Sequence, residues 1–131
     1  MRHRQWAMFV WGVFGLQCGD PVAPDPEAVF EVQVVHERFR VQVNDRVQID
    51  SFAARLASGA EGNITGTLAA GDGGVNAPWS WHLDPHTVQV ADISIELCDG
   101  LPSFVEADLT YWLGTVKQYC PWAVKIVARI R

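Results

Sequence analysis

Residues 76–85 read Asn-Ala-Pro-Trp-Ser-Trp-His-Leu-Asp-Pro, and this stretch decides the fold that we expect for the whole chain. Trp79, Trp81 and Leu83 alternate with polar residues, and a period of two is typical of a strand with one buried face. The opposite face presents a hydroxyl, an imidazole and a carboxylate in a row. We therefore place this strand near the centre of a small domain, with the later segment 120–122 (Cys-Pro-Trp) as its partner.

The first 18 residues have the pattern of an export signal. A basic start precedes an apolar run over residues 6–16, which is too short to span a bilayer as an ordinary helix. A buried N-terminal helix is the alternative. Cys18 follows the run, as in a bacterial lipoprotein signal, but Gln17 stands where a small residue is usual. Lipidation of Cys18, simple cleavage of the signal and a free thiol all stay open.

The organisation after the signal is a tether and then one domain. Residues 19–28 contain three prolines and predict an extended segment, and residues 29–131 form the domain. Without residues 1–18 the chain has 8 Lys+Arg against 15 Asp+Glu, a net charge of −7. This balance argues against nucleic-acid binding and against unaided attraction to anionic lipid. Membrane contact is expected only through a lipid on Cys18.

Cysteine usage separates Cys18 from a later pair, Cys98 and Cys120. In an exported chain such a pair is typical of a disulfide, which here closes a loop of 21 intervening residues. A metal site is the rival interpretation. Neither cysteine belongs to a C-x-x-C or C-x-x-H pair, so we favour the disulfide.

Local periodicity supplies the first elements. Alternating runs over residues 30–34 and 39–43 predict an antiparallel hairpin. The apolar spacing of residues 49–56 predicts a helix over residues 45–58, ended by Gly59. Asp45 and Gln48 have the spacing of a reciprocal N-terminal cap.

The remaining elements complete the fold class. The strand period recurs over residues 63–69, 88–90, 93–98 and 122–130. We predict that the last strand is internal, because both its faces are largely apolar. A second helix is predicted over residues 102–113, with Pro102 in its first turn. The fold class is therefore α+β, a mainly antiparallel sheet with two packed helices and one disulfide.

The ordered set of Asn76, the Pro78–Pro85 stretch, Cys98-Asp99 and Cys120-Pro121-Trp122 resembles a known family. This is the small domain at the amino terminus of a cyclic-AMP-inducible prespore protein of social amoebae, which is widespread in bacteria as secreted proteins. The resemblance covers roughly Val29 to Ile130. It implies the fold and a secreted protein, and it brings no established catalytic residues.

Bacterial members of that family are often labelled calmodulin-binding, and this label has a physical test. Calmodulin targets are basic amphipathic helices. The predicted helix over 102–113 has two acidic residues and no lysine or arginine, and the helix over 45–58 has no net charge. We therefore do not expect calmodulin as a partner.

His82 and Asp84 share the polar face of the central strand, and two roles are open for them. In the first they form a metal or acid/base site, and the domain is a small extracellular hydrolase. In the second His82 donates to a backbone carbonyl and Asp84 caps the turn at Pro85. We favour the second, because the nearby Ser80 lacks a nucleophile elbow.

The sequence thus favours a secreted or surface-anchored binding or interaction module over an enzyme. Its ligand is a protein, a carbohydrate or another small molecule, and we expect no cofactor and no metal, because no calcium-binding loop occurs. Export would place it in the periplasm, at the cell surface or outside the cell. The candidate binding residues are Asn76, Trp79, His82, Asp84, Asp99 and Trp122. If Cys98 and Cys120 are bridged, Trp122 should pack beside the strand that carries Trp79.

Overall fold

The computed structural model describes Gly12, Gly15 and residues 24–131. The candidate lipid anchor Cys18, nearly all of the predicted export signal and the front of the tether lie outside the described residues. Residues 24–27 have no regular secondary structure, and the first strand begins at Ala28. In the part of the chain that is described, no helix is long and apolar enough to cross a membrane.

The elements follow one another in the order of an α+β domain. The strands are β1 (Ala28–Val34), β2 (Glu37–Val43), β3 (Asn63–Ala70), β4 (Trp81–Leu83), β5 (Gln89–Ala91), β6 (Gln118–Tyr119) and β7 (Lys125–Arg129). The helices are α1 (Arg46–Ser58), α2 (Pro102–Ala107) and α3 (Leu109–Tyr111), with a short 3-10 turn (Glu96–Cys98) and a π turn (Trp112–Val116). The strand pairs are all antiparallel, which confirms the predicted fold class.

The predicted hairpin is confirmed as β1 and β2, which pair from Ala28 opposite Val43 to Val34 opposite Glu37. Its apolar residues point to one face and are buried, as their period of two requires. On its other side β1 pairs with β7. The last strand therefore stands at the end of the order β2-β1-β7, and it begins at Lys125 rather than at residue 122. The prediction of an internal strand is wrong for β7, whose Lys125 and Arg129 are exposed.

The second sheet is built around β3. Strands β4 and β5 lie along one side of β3, and β6 lies along the other. Gly66 of β3 faces the side chain of Leu83, and a Cβ at this position would lie only 3.0 Å from it, so the glycine permits the close approach of β4. An isolated bridge between Gly62 and Val124 joins this sheet to the first one.

The outer edges of the two sheets, β2 and β4, are also joined, but by side chains instead of a strand ladder. The Asn76 carboxamide accepts from the Arg40 N–H and donates to the Trp81 carbonyl, each at 2.8 Å. The Trp79 indole donates to the Arg38 carbonyl at 2.9 Å. The connections between strands therefore run in a ring around the core, and the stretch 76–85 closes it.

Helix α1 is confirmed within one residue of the predicted start. The Asp45 side chain accepts from the Gln48 N–H, and Gly59 ends the helix in the left-handed region. The reciprocal half of the predicted cap is wrong. The Gln48 side-chain oxygen accepts instead from the Val90 N–H at 2.9 Å, which ties α1 to the edge of β5.

The predicted helix over 102–113 is interrupted at Asp108. Asp108 has φ −142° and ψ 61°, and its carboxylate accepts from the Tyr111 N–H, so it ends α2 and caps α3. Asp is a good cap because its short side chain competes for backbone N–H groups. The stripe that we interpreted as one helix is therefore two short helices and a π turn.

The predicted strand over residues 93–98 is wrong as well. Residues 93–95 have no regular structure, and a 3-10 turn over Glu96–Cys98 follows. The disulfide at the end of this segment is confirmed, since Cys98 and Cys120 are bridged with their Cα atoms 5.1 Å apart. The bridge ties the segment to the end of β6.

The aromatic core lies inside the ring of strands. The Trp81 indole is buried against Phe39 and Tyr119, with ring centroids at 5.3 Å and 5.4 Å, and Tyr119 also packs edge-on to Trp112. The predicted packing of Trp122 beside this strand is wrong: its indole is 42% exposed. Tyr119 occupies the position beside Trp81 that we had expected Trp122 to fill.

Candidate functional site

The six candidate binding residues fall into two groups. Asn76, Trp79, His82 and Asp84 lie along the connection between β2 and β4, whereas Asp99 and Trp122 lie at the disulfide end of the domain. Their role in ligand binding stays a prediction. The structure does show what each side chain does within the fold.

The first group is occupied with hydrogen bonds inside the chain. Asn76 is 1% exposed and uses its oxygen and its NH2 group on β2 and β4. His82 Nδ1 lies 2.8 Å from the Gly71 carbonyl, and its ring covers Gly73, where a Cβ would lie 2.5 Å from the imidazole. Asp84 accepts from the His86 N–H at 3.0 Å and so fixes the turn that contains Pro85.

The second group shapes the turn that follows the disulfide. Asp99 Oδ1 accepts from the Trp122 N–H at 3.0 Å, and Asn63 Oδ1 accepts from the Ala123 N–H at 3.1 Å. Asp99 does not cap α2, whose N-terminal residue Leu101 has no side-chain cap. Two side chains from elsewhere in the domain therefore hold this turn, and it presents the Trp122 indole to solvent.

Two serine–glutamate contacts that sequence reasoning missed hold α2 against the sheets. The Glu37 carboxylate of β2 accepts from both the N–H and the hydroxyl of Ser103, at 2.8 and 2.7 Å. The Glu106 carboxylate of α2 accepts from both the N–H and the hydroxyl of Ser80, at 2.9 and 2.7 Å. No local pattern links residues so far apart, so the sequence carries no signal for these pairs.

Tyr119 is the titratable group that the fold perturbs most clearly. Burial raises the pKa of its phenol far above the ordinary value, and the negative charges of Asp99 and Glu37 raise this pKa further. Its hydroxyl donates to the Gly100 carbonyl at 2.6 Å. The neutral phenol therefore serves as a fixed hydrogen-bond donor in the core.

The arrangement of charged and nucleophilic groups gives little basis for catalysis. Across residues 24–131, no group of three or more His, Cys, Asp or Glu side chains is placed to hold a metal ion. His82 and Asp84 each bond to a different backbone group, and Ser80 bonds to Glu106. These contacts account for all three residues as parts of the fold.

The most unusual surface lies on the segment before the disulfide. Ile93, Ile95 and Leu97 are 88%, 65% and 62% exposed, and together we name them the apolar ridge. Both sulfur atoms of the bridge contact the Ile95 carbonyl oxygen, at 3.5 Å from Cys98 and 3.4 Å from Cys120. The bridge therefore lies directly under the ridge and supports it.

A polar surface adjoins the ridge. We name it the polar shelf, and it consists of Thr65, Thr67, Gln89 and Gln118. Thr65 pairs with Gln89 across β3 and β5, and Thr67 pairs with Gln118 across β3 and β6. A cleft of about 380 Å³ runs over the shelf, and a second one of about 320 Å³ runs between the shelf and the ridge. Thr65 and Gln118 line both clefts, so the two surfaces are continuous.

The molecule is thus a small disulfide-bonded α+β domain in which a ring of antiparallel strands surrounds an aromatic core. It belongs to the family of the N-terminal domain of the amoebal prespore protein, and the model of this family matches residues 26–131. This match confirms the resemblance that the ordered motifs indicated. No curated protein and no solved structure shows significant similarity to the chain.

Proposed function

We propose that the chain is an exported protein-binding module that holds an extended segment of a partner across the apolar ridge and the polar shelf. The exposure of three neighbouring aliphatic side chains carries this proposal. Soluble domains bury such side chains unless a partner covers them, because each one favours removal from water. Cys98 anchors one end of the ridge, so its side chains are held in place before a partner arrives.

The polar shelf supports a partner in extended conformation. No hydrogen bond within residues 24–131 uses the side-chain groups of Thr65, Thr67, Gln89 or Gln118. The Ser94 hydroxyl, on the cleft between shelf and ridge, is buried and also has no partner among these residues. Peptide N–H and C=O groups would satisfy such donors and acceptors.

Charge narrows the chemistry of the partner. Asp92, Glu96 and Asp99 alternate with or flank the ridge, and the chain after residue 18 has a net charge of −7. A partner segment with one apolar anchor and nearby lysine or arginine complements this surface. An anionic membrane or a second copy of the domain would bring like charges together.

Export is the part of the proposal that rests on chemistry outside the ridge. The disulfide is typical of proteins in oxidising compartments, and the first 18 residues have the pattern of a signal. The hydrolase alternative with His82 and Asp84 gains no support from the geometry, because both side chains are engaged in separate structural contacts.

Selection of peptides from a random displayed library tests the protein-binding proposal with a defined probe. We expect the full chain to select peptides that combine an apolar residue with lysine or arginine. The triple variant Ile93→Ser, Ile95→Ser, Leu97→Ser should bind them at least about tenfold more weakly, which corresponds to about 1.4 kcal/mol. The matched control is Val47→Ser, which removes an aliphatic side chain of similar exposure (67%) from α1.

The control should leave the affinity for the selected peptides unchanged. Peptides without a common pattern, or equal binding to the wild type and the triple variant, would contradict the proposed surface. The melting temperatures of both variants should match the wild type, since their side chains are exposed, and this measurement separates loss of binding from loss of folding.

A further inference from the structure

We infer that the domain carries a second binding site, for a single neutral sugar residue, in the open cleft beside Trp122. The cleft has a volume of about 250 Å³. It is lined by Gln33, Val35, Glu61, Trp122, Ala123 and Lys125. None of these residues lines the clefts of the polar shelf or the apolar ridge. The inference is therefore independent of the proposed protein-binding surface.

The indole of Trp122 is held in a defined position. Asp99 and Asn63 accept from the N–H groups of Trp122 and Ala123, and the preceding Pro121 restricts the backbone. The side chain is nevertheless 42% exposed, although an indole in water loses the stabilisation that burial gives. A fixed and exposed indole is a ready platform for the apolar face of a ligand.

Backbone strain is concentrated at this cleft. Val35 has φ +58° and Ala123 has φ +52°, values that residues with a Cβ rarely adopt. For a β-branched residue such as Val35 this conformation is an outlier, and such outliers cluster at ligand sites. Both strained residues line the Trp122 cleft.

The polar groups at the rim define the class of ligand. Across the described part of the chain, Glu61 and Lys125 form no ion pair, with each other or with another residue, and no side-chain hydrogen bond. The carboxylate is an acceptor and the ammonium a donor, as a polyhydroxylated ligand requires. An anionic ligand would be repelled by Glu61 and a cationic one by Lys125, so the pair favours a neutral ligand.

A pyranose ring meets these conditions. One face of the ring carries C–H groups, which have partial positive charge and suit the electron-rich face of an indole. Its hydroxyl groups lie around the edge, where Glu61 and Lys125 can bond to them. The cleft is smaller than most ligand pockets, and its size therefore matches one sugar residue, such as the end of a glycan chain.

NMR titration of the full chain with methyl glycosides of glucose, galactose, mannose and N-acetylglucosamine tests this site. We expect at least one glycoside to shift the Trp122 indole N–H signal in a saturable way. Glu61→Gln and Lys125→Met should each weaken this binding, and both positions are exposed, so both variants should fold. Trp122→Ala should weaken it at least about tenfold, or about 1.4 kcal/mol.

The matched control is Tyr111→Ala, which removes an aromatic side chain of equal exposure (42%) from α3. It should leave the glycoside affinity unchanged, and so should the triple variant of the apolar ridge. The inference is overturned if none of the four glycosides shifts the Trp122 signal. It is also overturned if Glu61→Gln, Lys125→Met and Trp122→Ala all bind a glycoside as the wild type does.

Discussion

Replacement of Asn76 by alanine should destabilise the domain more than its single side chain suggests. The Asn76 carboxamide is the link between the Arg40 N–H of β2 and the Trp81 carbonyl of β4. Alanine fills less space and offers no hydrogen-bonding group. Both main-chain groups would therefore lose their partner, and the ring of strands would open at this point.

The magnitude follows from these two bonds. An intramolecular hydrogen bond contributes about 0.5–1.5 kcal/mol net, and a buried group left without a partner costs about 1–3 kcal/mol. The Trp81 bond is buried and the Arg40 bond is partly buried, so water can relieve only the second group. We expect a loss of about 3 kcal/mol, out of a total stability of about 5–15 kcal/mol. For a domain of this size the melting temperature should fall by at least about 12 °C.

Urea unfolding with the disulfide intact, followed by tryptophan fluorescence, measures this loss. The control is Asn44→Ala, because the Asn44 side chain accepts only a local bond from Gln42 at 2.9 Å. That change should cost less than about 1 kcal/mol. If Asn76→Ala proves no more destabilising than Asn44→Ala, the side-chain link does not hold β2 to β4 and the reasoning fails.

Two further predictions concern the core. The double variant Cys98→Ser, Cys120→Ser should lose about 3 kcal/mol and melt far below the wild type, and mass spectrometry should find no free thiol at either position in the unreduced protein. Tyr119→Phe should lose about 1–2 kcal/mol at neutral pH, because the Gly100 carbonyl loses its donor. Since the fold raises the pKa of Tyr119, the neutral phenol contributes stability that is complete below about pH 10 and is lost at higher pH. Urea unfolding between about pH 9 and pH 11 should therefore show a steeper decline for the wild type than for Tyr119→Phe, and equal declines would contradict this.

The elements predicted well from the sequence are those whose own residues contain all the information. The β1–β2 hairpin combines a local turn with alternation on both strands, and α1 has a cap, an apolar stripe and a terminal glycine. Each signal lies within about a dozen residues and agrees with the others. No distant contact is needed to choose between helix and strand in these segments.

The segment before the disulfide shows where such information ends. Ile93, Ile95 and Leu97 alternate with polar residues as a strand does, yet β5 ends at Ala91 and pairing with β3 does not continue. Alternation describes how side chains point in an extended chain and does not provide a neighbour to pair with. Ala91 already pairs with Asn63, the first residue of β3, so no further residue of that strand remains for the chain that follows.

The candidate site was predictable in part for the same reason. That His82 and Asp84 share a strand face follows from period two, and the disulfide follows from the cysteine count. The link from Asn76 to β2 spans 36 positions and has no local signature. The exposure of Trp122 depends on Asp99 and Asn63, which hold its turn from distant positions.

The link between β2 and the stretch 76–85 also bears on how the protein avoids aggregation. A strand at the edge of a sheet offers unpaired N–H and C=O groups to any passing chain, and such templates start fibril growth. Asn76 and Trp79 occupy these groups at Arg40 and Arg38, and both arginine side chains are exposed on the same strand. Side chains cover this edge without offering a new one, as an added strand would. The charged flanks of β2 then repel foreign strands whenever the link opens.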